Sequence, residues 1–278
     1  MLETNLKLRQ TGDNSWVFEY PDGVKRFNDM LNDGIEWMEV GEYGEAEKVF
    51  RSVIKDSGEH IDAIHHLAMI LEQKPGMEEK TFRLWARAVD IGLASFPEEF
   101  KMGIDRLEWC MFENRPFLRA YHALGLEHVY RGYTDRALII FNNLLSMNPS
   151  DNQGVRTLAI DCDFALNRPE DVLRICDNFP NDATPDTLYG RPLALLMLDK
   201  RGEAERALME AVGQMPLAAK ELVKEKHRKP KGMSDDYLTV GGPDEAYDYY
   251  LRMGKHWKKT EGALELVRRC LWQGGGAD

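Results

Sequence analysis

The chain has 278 residues, 43% of them hydrophobic and 30% charged, with six Trp, ten Tyr and eleven Phe. That is enough apolar and aromatic material for a packed core, which excludes a disordered chain. Asp and Glu outnumber Lys and Arg by 47 to 36, a formal charge of −11, and so acidic a chain is a poor general binder of DNA because phosphate affinity rests on cationic contacts.

The N-terminal stretch LKLRQTGDNSWVFEY alternates Leu6 and Leu8, then Trp16, Phe18 and Tyr20, across a Gly12-Asp13-Asn14 turn. Period-two alternation around such a turn predicts a β-hairpin with one apolar face, a cap over residues 1–26. From residue 27 the period changes. Ala46, Phe50 and Val53 share a helix face, and Ala137, Phe141 and Leu144 repeat it, each set following a glycine (Gly41, Gly132) by the same interval. Ala204, Leu208 and Ala211, closed by Pro216, repeat the spacing again. Small residues at 46, 81, 137, 172 and 204 mark five helix pairs, the period of about 34 residues being that of tetratricopeptide units. The step from 81 to 137 alone is too long, and its extra stretch from Ser95 to Arg115, containing FKMGIDRLEWCMF, predicts an additional helix. Val172 and Cys176 depart from the small-then-aromatic pattern, and Pro192 falls inside an expected helix, where it removes a backbone hydrogen bond.

Residues 217–278 read as a helical cap with a long loop over 228–243, two further helices with Thr260 capping the second, and a disordered GGGAD tail. The expectation is an all-α fold: a right-handed tetratricopeptide (TPR) α-solenoid over 27–216 with the β-hairpin cap before it and the helical cap after it.

Two longer motifs narrow the resemblance. ENRPFLRAYHALG (Glu113 to Gly125) followed by NPSDNQGVR (Asn148 to Arg156) is similar to a bacterial subgroup of tetratricopeptide proteins and to the repeat segment of the suppressor-of-tumorigenicity-seven family. The stretch GGPDEAYDYYLRMGKHWKKTEGALELV looks like that subgroup's tail. The resemblance implies an α-solenoid scaffold with no known reaction, and the animal relatives' membrane segments find no counterpart.

In such an array the first helix of each repeat lines the concave surface. The inward positions are Asn28, Leu31, Ile35 and Met38, then Asp62, His65, Met69 and Glu72. The third repeat supplies Arg119, His122, Leu126 and Val129, and the fourth Gln153, Arg156, Ile160 and Asp163. The expected binding residues are Arg119, His122, Leu126, Gln153, Arg156, Ile160, His65 and Met69. Methionine and aliphatic side chains suit a peptide or helix, and two arginines could converge on an acidic side chain or a C-terminal carboxylate. The plainer alternative is that both arginines pair with Asp163, Glu127 or a carbonyl and fix the stacking. In NPSDNQGVR, likewise, Pro149 ends a helix, Ser150 or Asp151 caps the next, and Gly154 permits close packing.

Nothing in the chain matches HExxH, GxSxG, GxGxxG or a Walker loop. The expected function is therefore a non-catalytic scaffold for a protein or peptide partner, without metal or cofactor. The alternatives are a hydrolase or nucleotide-handling enzyme assembled only in the fold, or an RNA adaptor using the basic run 220–231, although interleaved Glu221 and Glu225 make a solvated helix end the simpler account. The longest apolar runs fall far short of the ~20 residues a membrane span needs, MLETNLKLRQ lacks a secretory apolar core, and four widely spaced cysteines point to a reduced, cytoplasmic protein.

Overall fold

Helices joined by short loops pack side by side and antiparallel. In the computed structural model, which describes residues 4–234 and 237–274, five such pairs follow one another as the small-residue period requires. Two strands, β1 (Lys7–Gly12) and β2 (Ser15–Glu19), and a single turn α1 (Asp22–Lys25) precede them. The pairs are α2 (Asn28–Glu39) with α3 (Tyr43–Asp56), α4 (Ile61–Glu72) with α5 (Glu78–Ala94), and α6 (Arg115–Tyr130) with α7 (Thr134–Met147). Then come α8 (Val155–Ala165) with α9 (Pro169–Asn178), and α10 (Pro185–Met197) with α11 (Arg201–Gln214). The chain ends in α12 (Pro216–Leu222), α13 (Pro243–Lys259) and α14 (Ala263–Gly274). The tail beyond Gly274 and the Asp235-Asp236 pair lie outside the described residues.

The small-residue positions do what their size suggests. Ala46, Ala137, Val172 and Ala204 have no exposed surface and Thr81 only 1%. In the first and third repeats a glycine of the first helix faces a phenylalanine of the second: a Cβ on Gly34 would sit 2.5 Å from Phe50 Cε1, and one on Gly125 2.5 Å from Phe141 Cε1. Enlarging Ala137 to Leu in this closed contact is expected to cost ~1–3 kcal/mol by overpacking; a melting temperature equal to the parent's would contradict the contact.

The turn inside each pair is equally repetitive. Its middle residue is left-handed in four repeats: Gly41 (φ 80°), Gly132 (φ 75°), Asn167 (φ 58°) and Asp199 (φ 56°). In each, the following N–H donates five residues back: Glu42 to the Trp37 carbonyl, Tyr133 to His128, Arg168 to Asp163 and Lys200 to Leu195, at 2.8–2.9 Å. That bond is the signature of a helix ended by a left-handed residue. Glycine, asparagine and aspartate are the residues that adopt this conformation most readily.

The chain divides into two compact units, Met1–Val155 and Arg156–Asp278. In the first, the stretch after α5 forms no additional helix. It runs as turns from Ser95, with one 3-10 turn at Phe112–Asn114, because its backbone is drawn to the hairpin: Arg106 N–H donates to the Asn14 carbonyl (2.7 Å) and Trp16 N–H to the Arg106 carbonyl (2.9 Å). The apolar spacing read as helical instead serves an aromatic cluster in which Phe18 meets Phe96 and Phe117, and Trp16 meets Phe100. In the second unit, Tyr189, Tyr249 and Trp257 are fully buried, Trp257 Nε1–H donating to Tyr249 Oη (2.8 Å) and Tyr189 O–H to the Met215 carbonyl (2.6 Å). Pro192 is accommodated within α10, and Thr260 closes α13 instead of opening α14, its hydroxyl donating to the His256 carbonyl.

Candidate functional site

Residues one or two helical turns apart share a face, and α4 and α6 set their inward faces side by side in the first unit. Together with Trp85 of α5 and Gln153 of the loop before α8 they line a cleft of about 300 Å³. His65 and Met69 come from α4, and Arg119, His122 and Leu126 from α6. Glu72, Glu127 and Tyr130 stand at the C-terminal ends of the same two helices. Gln153 is fixed by its own bond, the side-chain amide donating to the Leu118 carbonyl at 3.3 Å.

Of the lining residues, Arg119 is held by an ion pair to Asp62, which itself faces a separate pocket beside Tyr20 and His60. Arg119 Nη2 donates to both carboxylate oxygens of Asp62, at 2.7 and 2.9 Å, and the Asp62 side chain is only 12% exposed. Burial pushes the Asp62 carboxyl up, but His66 and Arg119 beside it outweigh burial and hold it below the ordinary carboxylate range. Burial, with His66 alongside, pushes His65 down to about 3, and burial also lowers His122, so both imidazoles are neutral at physiological pH. Beneath this neutral surface the lining residues carry buried polar atoms with no hydrogen-bond partner: His65 Nδ1, Trp85 Nε1, Arg119 Nε and His122 Nε2. Native interiors leave few such atoms; here four side chains lining one cleft carry them.

Arg156 and Ile160 have other surroundings. Arg156 lies in the second unit, where its fork donates to Asp182, Nε to Oδ2 at 2.7 Å and Nη2 to Oδ1 at 3.0 Å. Burial raises the Asp182 carboxyl, but bonds from Arg156, Thr187 and Thr184 lower it further, to about 2. Ile160 has no exposed surface. The reason is register. The loops Arg131–Tyr133 and Asn167's equivalent three residues have equal length, so counting back from them aligns Ile160 with Gly125, a packing position, and Asp161 with Leu126. The inward-position count from the helix start is one residue out in the fourth repeat, since α8 begins later in its repeat than α6 does.

The two distinctive motifs hold the architecture. Asn114 is fully buried; its Oδ1 accepts from Phe18 N–H (3.1 Å) and its amide donates to the Trp16 (3.1 Å) and Glu108 (3.2 Å) carbonyls. Asn148 Oδ1 accepts from Trp109 N–H at 3.3 Å. Asp151 caps α8, its Oδ1 accepting from Val155 N–H (2.7 Å), and Gly154 supplies a left-handed backbone (φ 68°); a Cβ there would meet no other atom within 4 Å, so its role is conformation and not close packing. Sequence reading missed both asparagines; their only signal is a polar residue flanked by helix boundaries. It also missed Trp85, whose α5 position reads as core.

Elsewhere, within the largely exposed basic run, Lys224 and His227 both meet buried Glu221, and His227 stacks on Tyr250. A smaller cleft of about 190 Å³ in the second unit is lined by Phe164, Met197 and His256, whose Nε2 lies 2.6 Å from Asp161. Among the described residues no group of three or more His, Cys, Asp and Glu side chains is arranged to hold a metal ion, and no helix is long and apolar enough to cross a membrane.

Comparison with solved structures agrees with this helix-pair architecture. The structure titled "YrrB: a TPR protein with an unusual peptide-binding site" superposes with a TM-score of 0.51 at 14% identity, over 70% of this chain and 93% of that one. A tetratricopeptide repeat protein from Parabacteroides merdae gives 0.52 at 13% identity, over 90% and 87%. Among curated proteins none matches. One family model spans both units, from residue 36 in α2 to residue 271 in α14. With its five pairs of tetratricopeptide helices and nearly its whole length inside that match, the chain belongs to the family described as transcriptional repressor TCF25.

Proposed function

We propose that the chain is a protein-interaction scaffold that takes an extended peptide segment of a partner into the α4–α6 cleft. The observation that carries this reading is the set of unpartnered polar atoms on His65, Trp85, Arg119 and His122 around one cleft. A peptide backbone brings hydrogen-bonding groups at regular spacing, and Met69 and Leu126 offer adaptable apolar contact between them. The similarity to a tetratricopeptide protein with a peptide-binding site supports the same mode by analogy. A partner carboxylate gains little here, because Arg119 and Arg156 already carry Asp62 and Asp182. The family description names a transcriptional repressor. A chain of formal charge −11 fits that role through protein contacts more readily than through DNA, whose phosphates demand cations.

Selection of a random linear-peptide library on the full chain tests the reading. Enriched peptides are expected to lose at least tenfold in affinity when Leu126→Trp fills the cleft, with thermal stability preserved. Peptides that bind Leu126→Trp as tightly as the parent would place recognition elsewhere, the first region to examine being the 228–243 loop.

A further inference from the structure

We propose that the peptide held in the α4–α6 cleft is basic, turning a lysine or arginine side chain toward Glu72 while its carbonyl oxygens meet the donors at the opposite end. This rests on the peptide-site reading above and adds the ligand's charge and direction.

The charge follows from counting the groups that face the cleft and its mouth. Glu72 and Glu127 are the acidic residues of the lining; the guanidinium groups near them are Arg119, spent on Asp62, and Arg131. Arg131 donates to Glu127 and to Glu79 at 3.0 Å each and lies 4.2 Å over the Phe82 ring. Glu72 is left without an ion-pair partner among the described residues, and burial together with Glu127 raises its carboxyl. It is also the last residue of α4, and Tyr130 is the last of α6. Two helix C-termini therefore add partial negative charge at the same end. A cation there is favoured twice over, and an anion is opposed by all of it.

The direction follows from the donors. Trp85 and His65 are 3% and 6% exposed, and their Nε1 and Nδ1 atoms are unpartnered. Indole Nε1–H and guanidinium Nε–H can only donate, so a ligand group seated deeply enough to reach them must be an acceptor. His65 and Glu72 are seven residues apart on one helix, about 10 Å, or roughly three residues of extended chain. Met69 and Leu126 lie between the two ends, where they suit the aliphatic stem of a long cationic side chain. Exposed Tyr130 offers its ring face at the cationic end.

The peptides enriched on the full chain supply the test. A lysine or arginine is expected at one fixed position, and Glu72→Gln should weaken those peptides at least tenfold. A synthetic peptide with that residue changed to glutamine should lose the same factor and become indifferent to Glu72→Gln. Enrichment of acidic or uncharged peptides, or affinity unmoved by Glu72→Gln, overturns the charge assignment. If Leu126→Trp abolishes binding while Glu72→Gln changes nothing, the charge assignment alone fails. If neither variant changes binding, the peptide-site reading fails with it.

Discussion

Replacing Arg119 with alanine is expected to destabilise the unit ending at Val155 by about 3 kcal/mol at neutral pH, because it strands the Asp62 carboxylate in a nearly buried position. The partner left behind matters more than the bond removed: an uncompensated buried charge costs more than the net worth of a pair. His66 Nδ1, 3.4 Å from Asp62 Oδ1, can share part of the charge. The pH dependence has a definite sign. In the parent, the Asp62 pKa is held below its unfolded value. Its contribution is therefore complete above the ordinary carboxylate pKa and declines as pH falls through the lower, folded value. In Arg119→Ala only His66 remains of the two groups that outweigh burial, so the carboxyl moves upward and the variant's deficit shrinks as pH falls. Urea denaturation of both proteins at neutral and mildly acidic pH measures this. Combining Arg119→Met with Asp62→Leu should recover most of the loss, since an apolar pair of similar volume replaces both charges. Equal stability of parent and Arg119→Ala at neutral pH would mean that solvent already satisfies Asp62. A stranded carboxylate also makes arginine-to-alanine variants a poor probe of ligand binding in this chain, whereas changes at Leu126 and Glu72 break no ion pair among the described residues.

The expectation that two arginines converge on a ligand came from equating positions 119 and 156 by counting from helix starts. The sequence carries the period of the repeats in the small residues at 46, 81, 137, 172 and 204, all of which are buried. It carries the left-handed turns less openly, because Asn167 and Asp199 perform in the later repeats what Gly41 and Gly132 perform in the earlier ones. Aligning all four turns would have placed Ile160 with Gly125 and moved Arg156 off the inward face. Acidic partners are harder to read. Asp62 precedes Arg119 by 57 residues and Asp182 follows Arg156 by 26, and no local pattern links them. The stretch from Ser95 to Arg115 was misread for a related reason. Its apolar residues recur at near-helical spacing, but Arg106 and Asn114 bond across 90 or more residues to the hairpin, and long-range backbone bonds override local periodicity. The cleft lining was legible at His65, Met69, Arg119, His122 and Leu126, on long regular helices, and at Gln153, which reaches it from the loop before α8. Trp85 reached it from the second helix of its pair, which the inward-face rule ignores.

Successive repeats exchange large and small side chains at aligned positions. In the third repeat a glycine in the first helix, Gly125, faces an aromatic sixteen residues on, Phe141, both buried. In the fourth the aligned residues are Ile160 and Cys176, also buried, with the large and small side chains exchanged. By the turn alignment, Ile160 and Cys176 are expected to share one helix–helix space as Gly125 and Phe141 do, with one bulky and one small group in each. Gly125→Ile alone is expected to be severe, because even a Cβ would stand 2.5 Å from Phe141 Cε1; overpacking typically costs ~1–3 kcal/mol and more where the backbone cannot move. Phe141→Cys alone opens a cavity in a fully buried site and is expected to cost about 3 kcal/mol or more. The double variant transplants the fourth repeat's solution into the third. It should be more stable than the sum of the single losses by at least about 1 kcal/mol, since contacting residues couple. Calorimetric melting of the parent, both single variants and the double variant closes the cycle. Strict additivity would show that the two positions do not share one packing space, and that the exchange in the fourth repeat is two independent substitutions.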